Sequence, residues 1–184
     1  MQVRIVLLEP LRVAYARAIS TDPETDAWNK LTAWARPRGL VDPGNHRFFG
    51  FNNPSPTPGS PVCGYEVWVT VGPEVRPEGG IGIKEFGGGL YAVARCRPRR
   101  PEDIPQSWQA LRRWAVSSGR RHGRHQWLEE HLGQLGEPWD NIEMDLYYPL
   151  DEWGQTTEPT AERFAKASFR GPDTAGRGAA TPGV

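Results

Sequence analysis

Apolar and polar positions along this chain run through one order and then begin it again. "VRIVLLE" and "RVAYARAIS" are β-branched, extended runs parted by Pro10, which predicts two strands or one bent strand. The period then changes. In "STDPETDAWNKLTAWARPRG", Ala27, Trp28, Leu31, Trp34 and Ala35 return at helical spacing; Asp22 offers a capping side chain, Pro23 suits a first turn, and Pro37 with Gly39 ends the segment. "HRFFGFNN" and "CGYEVWVTV" read as strands again, separated by the loop "PSPTPGSPV".

After "GPEVRPEGG" come "IGIKEF", turn glycines at 87 to 89, and "LYAVARC". A second helix follows in "PEDIPQSWQALRRWAVSSG", where Asp103 can cap and Ile104, Trp108, Leu111 and Ala115 form the stripe. "HQWLEEHL" and "NIEMDLYYPL" close this half as strands. The match extends to letters: Trp28, Leu31, Trp34, Ala35 and Gly39 recur eighty positions later, "AYAR" answers "AVAR" at an offset of 78, and "YEVWVTV" answers "MDLYYPL" at 79. The pattern is that of an internally duplicated α+β module of strand, strand, helix, strand, strand. Each copy, of roughly 75 residues, is too short to bury a helix and a sheet face comfortably alone. We expect one antiparallel domain over residues 1–153, with repeats at about 2–72 and 80–151. The Gly-, Pro- and Thr-rich segment 154–184 reads as a largely disordered tail, with room for a short helix near Pro159 to Phe169.

Composition narrows the function. Twenty-two Lys and Arg balance twenty-two Asp and Glu, so the field that steers nucleic acid or an anionic membrane is absent. "RCRPRR" and "GRRHGRH" then read as solvated loop charge, because no exposed aromatics are interleaved with them. Cys63 and Cys96 are too few for a disulfide framework, and "MQVRIVLLEP" lacks the features of a signal peptide, so we expect a reduced, cytoplasmic protein. No apolar run approaches the roughly 20 residues of a membrane helix. Eight tryptophans exceed what such a core needs, and surplus copies often line pockets.

The duplicated order, with "FFGFNNP" in the first unit, "LEEHL" in the second and "YEVWVTV" and "MDLYYPL" as closing strands, resembles the GyrI-like small-molecule-binding family. That family includes the effector-binding domains of bacterial multidrug-sensing regulators. The resemblance covers about residues 2 to 151. It implies two modules about a pseudo-twofold axis, one curved sheet with both helices on the same side, and a ligand cleft at the centre. It also implies that a glutamate in the second module's third strand meets cationic aromatic ligands there. The matching residue is Glu129, with Gly50 as its counterpart in the first module.

Strand alternation sends the adjacent Glu130 to the opposite face, and a one-residue register slip exchanges the two. With Glu129 inward, Trp127 and His131 share its face, with Phe48 and Asn52 at the equivalent places. Trp68 with Tyr147, and Glu66 with Asp145, hold matching positions in the closing strands. Tyr15, flanked by Ala14 and Ala16, is expected on the cleft side. A carboxylate ringed by Trp68 and Tyr147 would attract a flat cation by about 0.5–2 kcal/mol per ring, although both side chains also suit ordinary sheet packing. Trp28, Trp34, Trp108 and Trp114 are assigned to the helix–sheet core by their spacing. His122, His125 and His131 match no common zinc pattern, and no cofactor motif is present, so neither metal nor cofactor is expected.

The leading expectation is a stand-alone protein that captures hydrophobic, often cationic aromatic compounds; strands begin almost at Met1, leaving no room for a preceding helix-turn-helix. The alternative that the resemblance implies is a hydrolase opening cyclopropane-containing DNA-alkylating compounds. In it Glu129, its pKa raised by desolvation, activates water, with Tyr147 or Trp68 holding the substrate. A protein-interaction module is the third class.

Overall fold

The computed structural model describes residues 1–60, 62–133 and 141–155, with side chains through Asp151. The expected tail beyond residue 155 and its short helix lie outside the described residues. The elements run β1 (Val3–Leu8), β2 (Leu11–Ser20), α1 (Pro23–Ala35), a 3₁₀ turn (Arg36–Arg38), β3 (Phe48–Asn52), β4 (Cys63–Thr70), β5 (Gly82–Phe86), β6 (Gly89–Cys96), α2 (Asp103–Ser117), β7 (Arg120–His122), β8 (Leu128–His131) and β9 (Met144–Gln155). The expected order is present, with β7 added where the sequence suggested only a charged turn.

Helix α1 starts at Pro23 without a side-chain cap from Asp22; Ser20 takes up the local polar groups instead, accepting from the Asp22 N–H at 3.2 Å and donating to Asp26 at 2.6 Å. Gly39 ends the following turn at φ 70°, a left-handed conformation that glycine adopts without penalty. In α2, Asp103 is the first helical residue and its carboxylate accepts the Arg99 N–H upstream, so it pins the entering loop rather than capping the turn ahead.

All strands join one sheet in the order β1-β6-β9-β8-β3-β4-β2-β5, with β7 pairing β9. The order is its own reverse when β1 is exchanged with β5, β2 with β6, β3 with β8 and β4 with β9. Each half also lends its first strand to the other, since β1 pairs with β6 and β5 with β2, antiparallel in both cases. This exchange forces the sheet to curl. Only Glu9 and Pro10 separate β1, at one end, from β2, beside the other end, and β5 and β6 are joined just as closely. The two ends must therefore come together.

The inner face of the curl carries Leu8, Val13, Phe49, Phe51, Trp68, Tyr91, Val93, Leu128 and Tyr147 as one buried cluster drawn from both halves. Both helices lie on the outer face. Ala14 and Ala16 sit with Ala27, Leu31 and Trp34 of α1, and Ala92 and Ala94 with Leu111 and Ala115 of α2. Small residues on the strands let each helix approach closely. No helix among the described residues is long and apolar enough to cross a membrane.

Candidate functional site: a carboxylate between the two helices

α1 lies on β2 and β4, and α2 on β6, β7 and β9, so the central pair β3–β8 forms the floor of a groove between them. Gly50 of β3 stands directly opposite Glu129 of β8, at the centre of the exchange that relates the two halves. Because strand side chains alternate, Trp127, Glu129 and His131 form a row across this floor. Trp108 of α2 stands over one end and Trp28 of α1 over the other: the Trp108 and Trp127 rings are 5.1 Å apart, and Trp28 meets His131 edge-on at 4.8 Å. Tyr148 backs Trp127 at 4.8 Å.

Two neutral donors hold the Glu129 carboxylate, the Tyr65 hydroxyl at 2.9 Å and the Trp108 indole N–H at 2.9 Å. Gly50 makes the first possible. Tyr65 is on neighbouring β4, and its ring lies where a side chain at Gly50 would stand, 2.8 Å from the Cβ position at Cε1 and 2.9 Å at Cζ. The space left by the missing side chain at Gly50 is filled by a phenol reaching for the glutamate. Burial raises the Glu129 pKa and the two hydrogen bonds pull it back down. Glu24, in the first turn of α1, is pushed up to about 7 by the surrounding protein, the charge of Glu129 and Asp22. Water still reaches Glu24, so its repulsion with Glu129 is partly screened. Burial also holds His131 down at about 4, hence neutral.

Among the described residues, the lack of a basic partner sets Glu129 apart from the inner-face carboxylates. On the inner face Glu66 pairs with Lys84, Glu130 with Arg47, and Asp145 with Arg4 and Arg95. Among the described residues no basic side chain pairs with Glu129. A partly buried carboxylate supplied with hydrogen bonds but no countercharge is suited to a cation from outside.

The structure divides the candidate residues between two faces. Glu129, Trp127, His131 and Phe48 share the helix side, with Phe48 sealed beneath α1. Trp68, Tyr147, Tyr15 and Glu66 are on the inner side, with Glu130 and Asp145. The expected ring of Trp68 and Tyr147 around Glu129 does not form, because the register sets Glu129 against Leu146 while Tyr147 faces Leu128. Tyr147 instead donates to Glu130 at 2.5 Å, on the face opposite Glu129, so it does not stand where it could hold a substrate against Glu129. The inner set has its own cation: the Lys84 ammonium pairs with Glu66 and lies 4.3 Å from the Trp68 ring, 4.7 Å from Tyr15 and 5.8 Å from Phe51. Conversely, Trp28 and Trp108, assigned to the core, also frame the groove; both are only partly buried, as stripe-edge positions are. Of the other histidines, His122 accepts the Trp127 N–H at 2.8 Å and His125 lies 2.9 Å from the Leu90 carbonyl.

Two surface depressions lie elsewhere, one of about 340 Å³ between Trp34, Arg38 and Glu78 and one of about 420 Å³ along Arg112, Arg113 and Val116 on the outer side of α2. Neither contains a buried charge or an aromatic cluster.

Residues 1–151 match the model of the GyrI-like small molecule binding domain. The chain belongs to this family. Among solved structures, the C-terminal domain of EcmrR is similar at a TM-score of 0.62 and 13% identity, over 82% of this chain and 97% of that one. Against EcmrR in its DNA complex the TM-score is 0.64 at 11% identity over 82% of this chain, which spans only 57% of that longer protein. SAV2435 bound to tetraphenylphosphonium is similar at a TM-score of 0.53 and 11% identity, over 83% and 95% of the two chains. A hydrolase from Listeria innocua is similar at 0.59 and 7% identity, over 82% and 92%. These likenesses establish a shared fold. No curated protein matches the chain.

Proposed function

We propose that this GyrI-like domain captures lipophilic aromatic cations in the groove between α1 and α2, with Glu129 as countercharge and Trp28, Trp108 and Trp127 as aromatic walls. The observation that carries this reading is the Glu129 carboxylate, held by Tyr65 and Trp108 with no basic partner among the described residues, while the inner-face carboxylates Glu66, Glu130 and Asp145 each have one. An aromatic cation replaces the missing charge and stacks on indole faces at once. Entry requires Trp28 or Trp108 to swing away, and both lie at the partly exposed edge of their helices. Drug capture or sensing in a reducing, cytoplasmic setting, with Cys63 and Cys96 free, completes the proposal.

The test is a titration with tetraphenylphosphonium, the ligand in the SAV2435 structure, followed by tryptophan fluorescence. Glu129→Gln is expected to weaken binding about ten-fold or more, equivalent to about 1.4 kcal/mol. Tyr147→Phe, on the far face, is expected to leave it within about two-fold, the spread of a distant substitution. Equal affinity in wild type and Glu129→Gln, or no binding by wild type, refutes the proposal.

A further inference from the structure

Native proteins leave few buried polar atoms without a partner. Among the described residues two side-chain atoms are in that state, Trp34 Nε1 and His131 Nε2. Trp34 belongs to the packing of α1, where the Arg38 guanidinium lies 4.8 Å from its ring. His131 is different, since it shares the groove floor with Glu129, two residues along the same strand face, and is covered by the edge-on ring of Trp28. Two residues of strand separate side chains by about 6.6 Å. That is close to the reach across one substituted aromatic ring.

Resting on the groove as the ligand site, we infer that His131 Nε2 is its second anchor: it hydrogen-bonds a hydroxyl or N–H carried by the ligand about one ring away from the charge seated on Glu129. The ligand class narrows from any lipophilic cation to an aromatic cation bearing an alcohol, phenol or amide at that distance. The neutral imidazole that burial enforces suits the role, since it carries one N–H and one bare nitrogen and adds no charge to repel a cation. Trp28 then acts as the cover that ligand entry lifts.

Two probes of matched shape test this, the para-hydroxymethyl and para-ethyl derivatives of tetraphenylphosphonium. Wild type is expected to prefer the alcohol by about five-fold, within the range of a net hydrogen bond, although the ethyl compound is the more apolar. His131→Leu is expected to abolish or reverse that preference, and His131→Asn, which keeps a polar tip, to retain part of it. Glu129→Gln is expected to weaken both probes and leave their ratio intact, which separates this inference from the one beneath it. A wild type that does not prefer the alcohol, or a preference that survives in His131→Leu, overturns the role of His131; failure of wild type to bind either probe overturns both readings.

Discussion

Gly50→Ala tests how the groove is built, because one methyl group placed opposite Glu129 should act on a hydrogen bond made by a third residue. Gly50 has ordinary extended backbone, so the change adds bulk without backbone strain. The new Cβ would press first on the Tyr65 hydroxyl oxygen, its nearest neighbour, and stand 2.8 Å from Cε1 and 2.9 Å from Cζ, where contacts of about 3.4 Å are ordinary, so the ring must retreat by about half an ångström or more and carry its hydroxyl off Glu129. Overpacking of this kind costs about 1–3 kcal/mol, and a hydrogen bond to a charged group adds about 1.5–3 kcal/mol. Partial relaxation of the ring and entry of water beside Glu129 bring the expected total to about 2–4 kcal/mol. The assay is urea unfolding of wild type, Gly50→Ala, Tyr65→Phe and the double variant. Because Tyr65→Phe already lacks the hydroxyl, the double variant is expected to be more stable than the sum of the singles by about 1 kcal/mol or more, a coupling typical of residues in contact. Strict additivity, or a Gly50→Ala cost below about 0.5 kcal/mol, the range of an ordinary surface change, would show that Tyr65 does not occupy the space above Gly50.

Glu24 gives the groove a pH response. Its pKa of about 7 lies above the ordinary carboxylate range, so it gains charge as pH rises through neutrality. Phosphonium affinity is expected to increase by about two- to five-fold between pH 6 and 8, the size of a screened surface charge interaction, and Glu24→Gln to flatten that rise; a slope unchanged in the variant refutes the assignment. On stability the sign is opposite: a raised folded-state pKa favours the fold at low pH and loses that contribution as pH rises through about 7, so Glu24→Gln should gain stability on wild type at pH 8 in thermal melts. On the inner face, Lys84→Met strips the cation from buried Glu66 while keeping apolar contact with Trp68. Because the Lys84 side chain is 34% exposed, the expected loss of about 1–3 kcal/mol is below that of a fully buried pair, read as a melting shift of about 2–4 °C per kcal/mol. Phosphonium binding at Glu129 should not change, and a loss there would mean that the two faces communicate.

Much of this was legible in the letters. Alternation alone separated Glu129 from Glu130 and Tyr15 from Ala14 and Ala16, and the doubled helical stripe located α1 and α2 within a residue or two. What a strand's period cannot say is which of its faces matches which face of a neighbour. The sequence pattern groups Glu129 with Trp68 and Tyr147, and the pairing of Glu129 with Leu146, set by a four-residue strand entered from a loop, reverses that grouping. The curl was equally hidden, because it follows from two short links joining opposite ends of the sheet, a fact of topology rather than of local composition. The aromatic and acidic set on the inner face did signal a cation site, but the cation is Lys84 of the same chain. Trp28 and Trp108 were readable from the start as stripe residues at matching places; their second role follows from the gap between the helices, which no spacing within either helix records. β7 escaped notice because its partner is the far end of β9.

The exchange of first strands means that neither half of the chain is an autonomous unit. Cut at the loop between β4 and β5, the leading segment keeps β1 without its partner β6 and β2 without its neighbour β5, and the trailing segment is left with the complementary defects. Each fragment presents the edge that the other requires, as a pair of clasped hands does. The contacts that complete the sheet join residues as distant as Val3 and Ala94, and such long closures slow folding and make it cooperative. The floor of the groove, where β3 meets β8 across that clasp, exists only once both halves have closed on each other, so any ligand held there bears on the whole fold and not on one module.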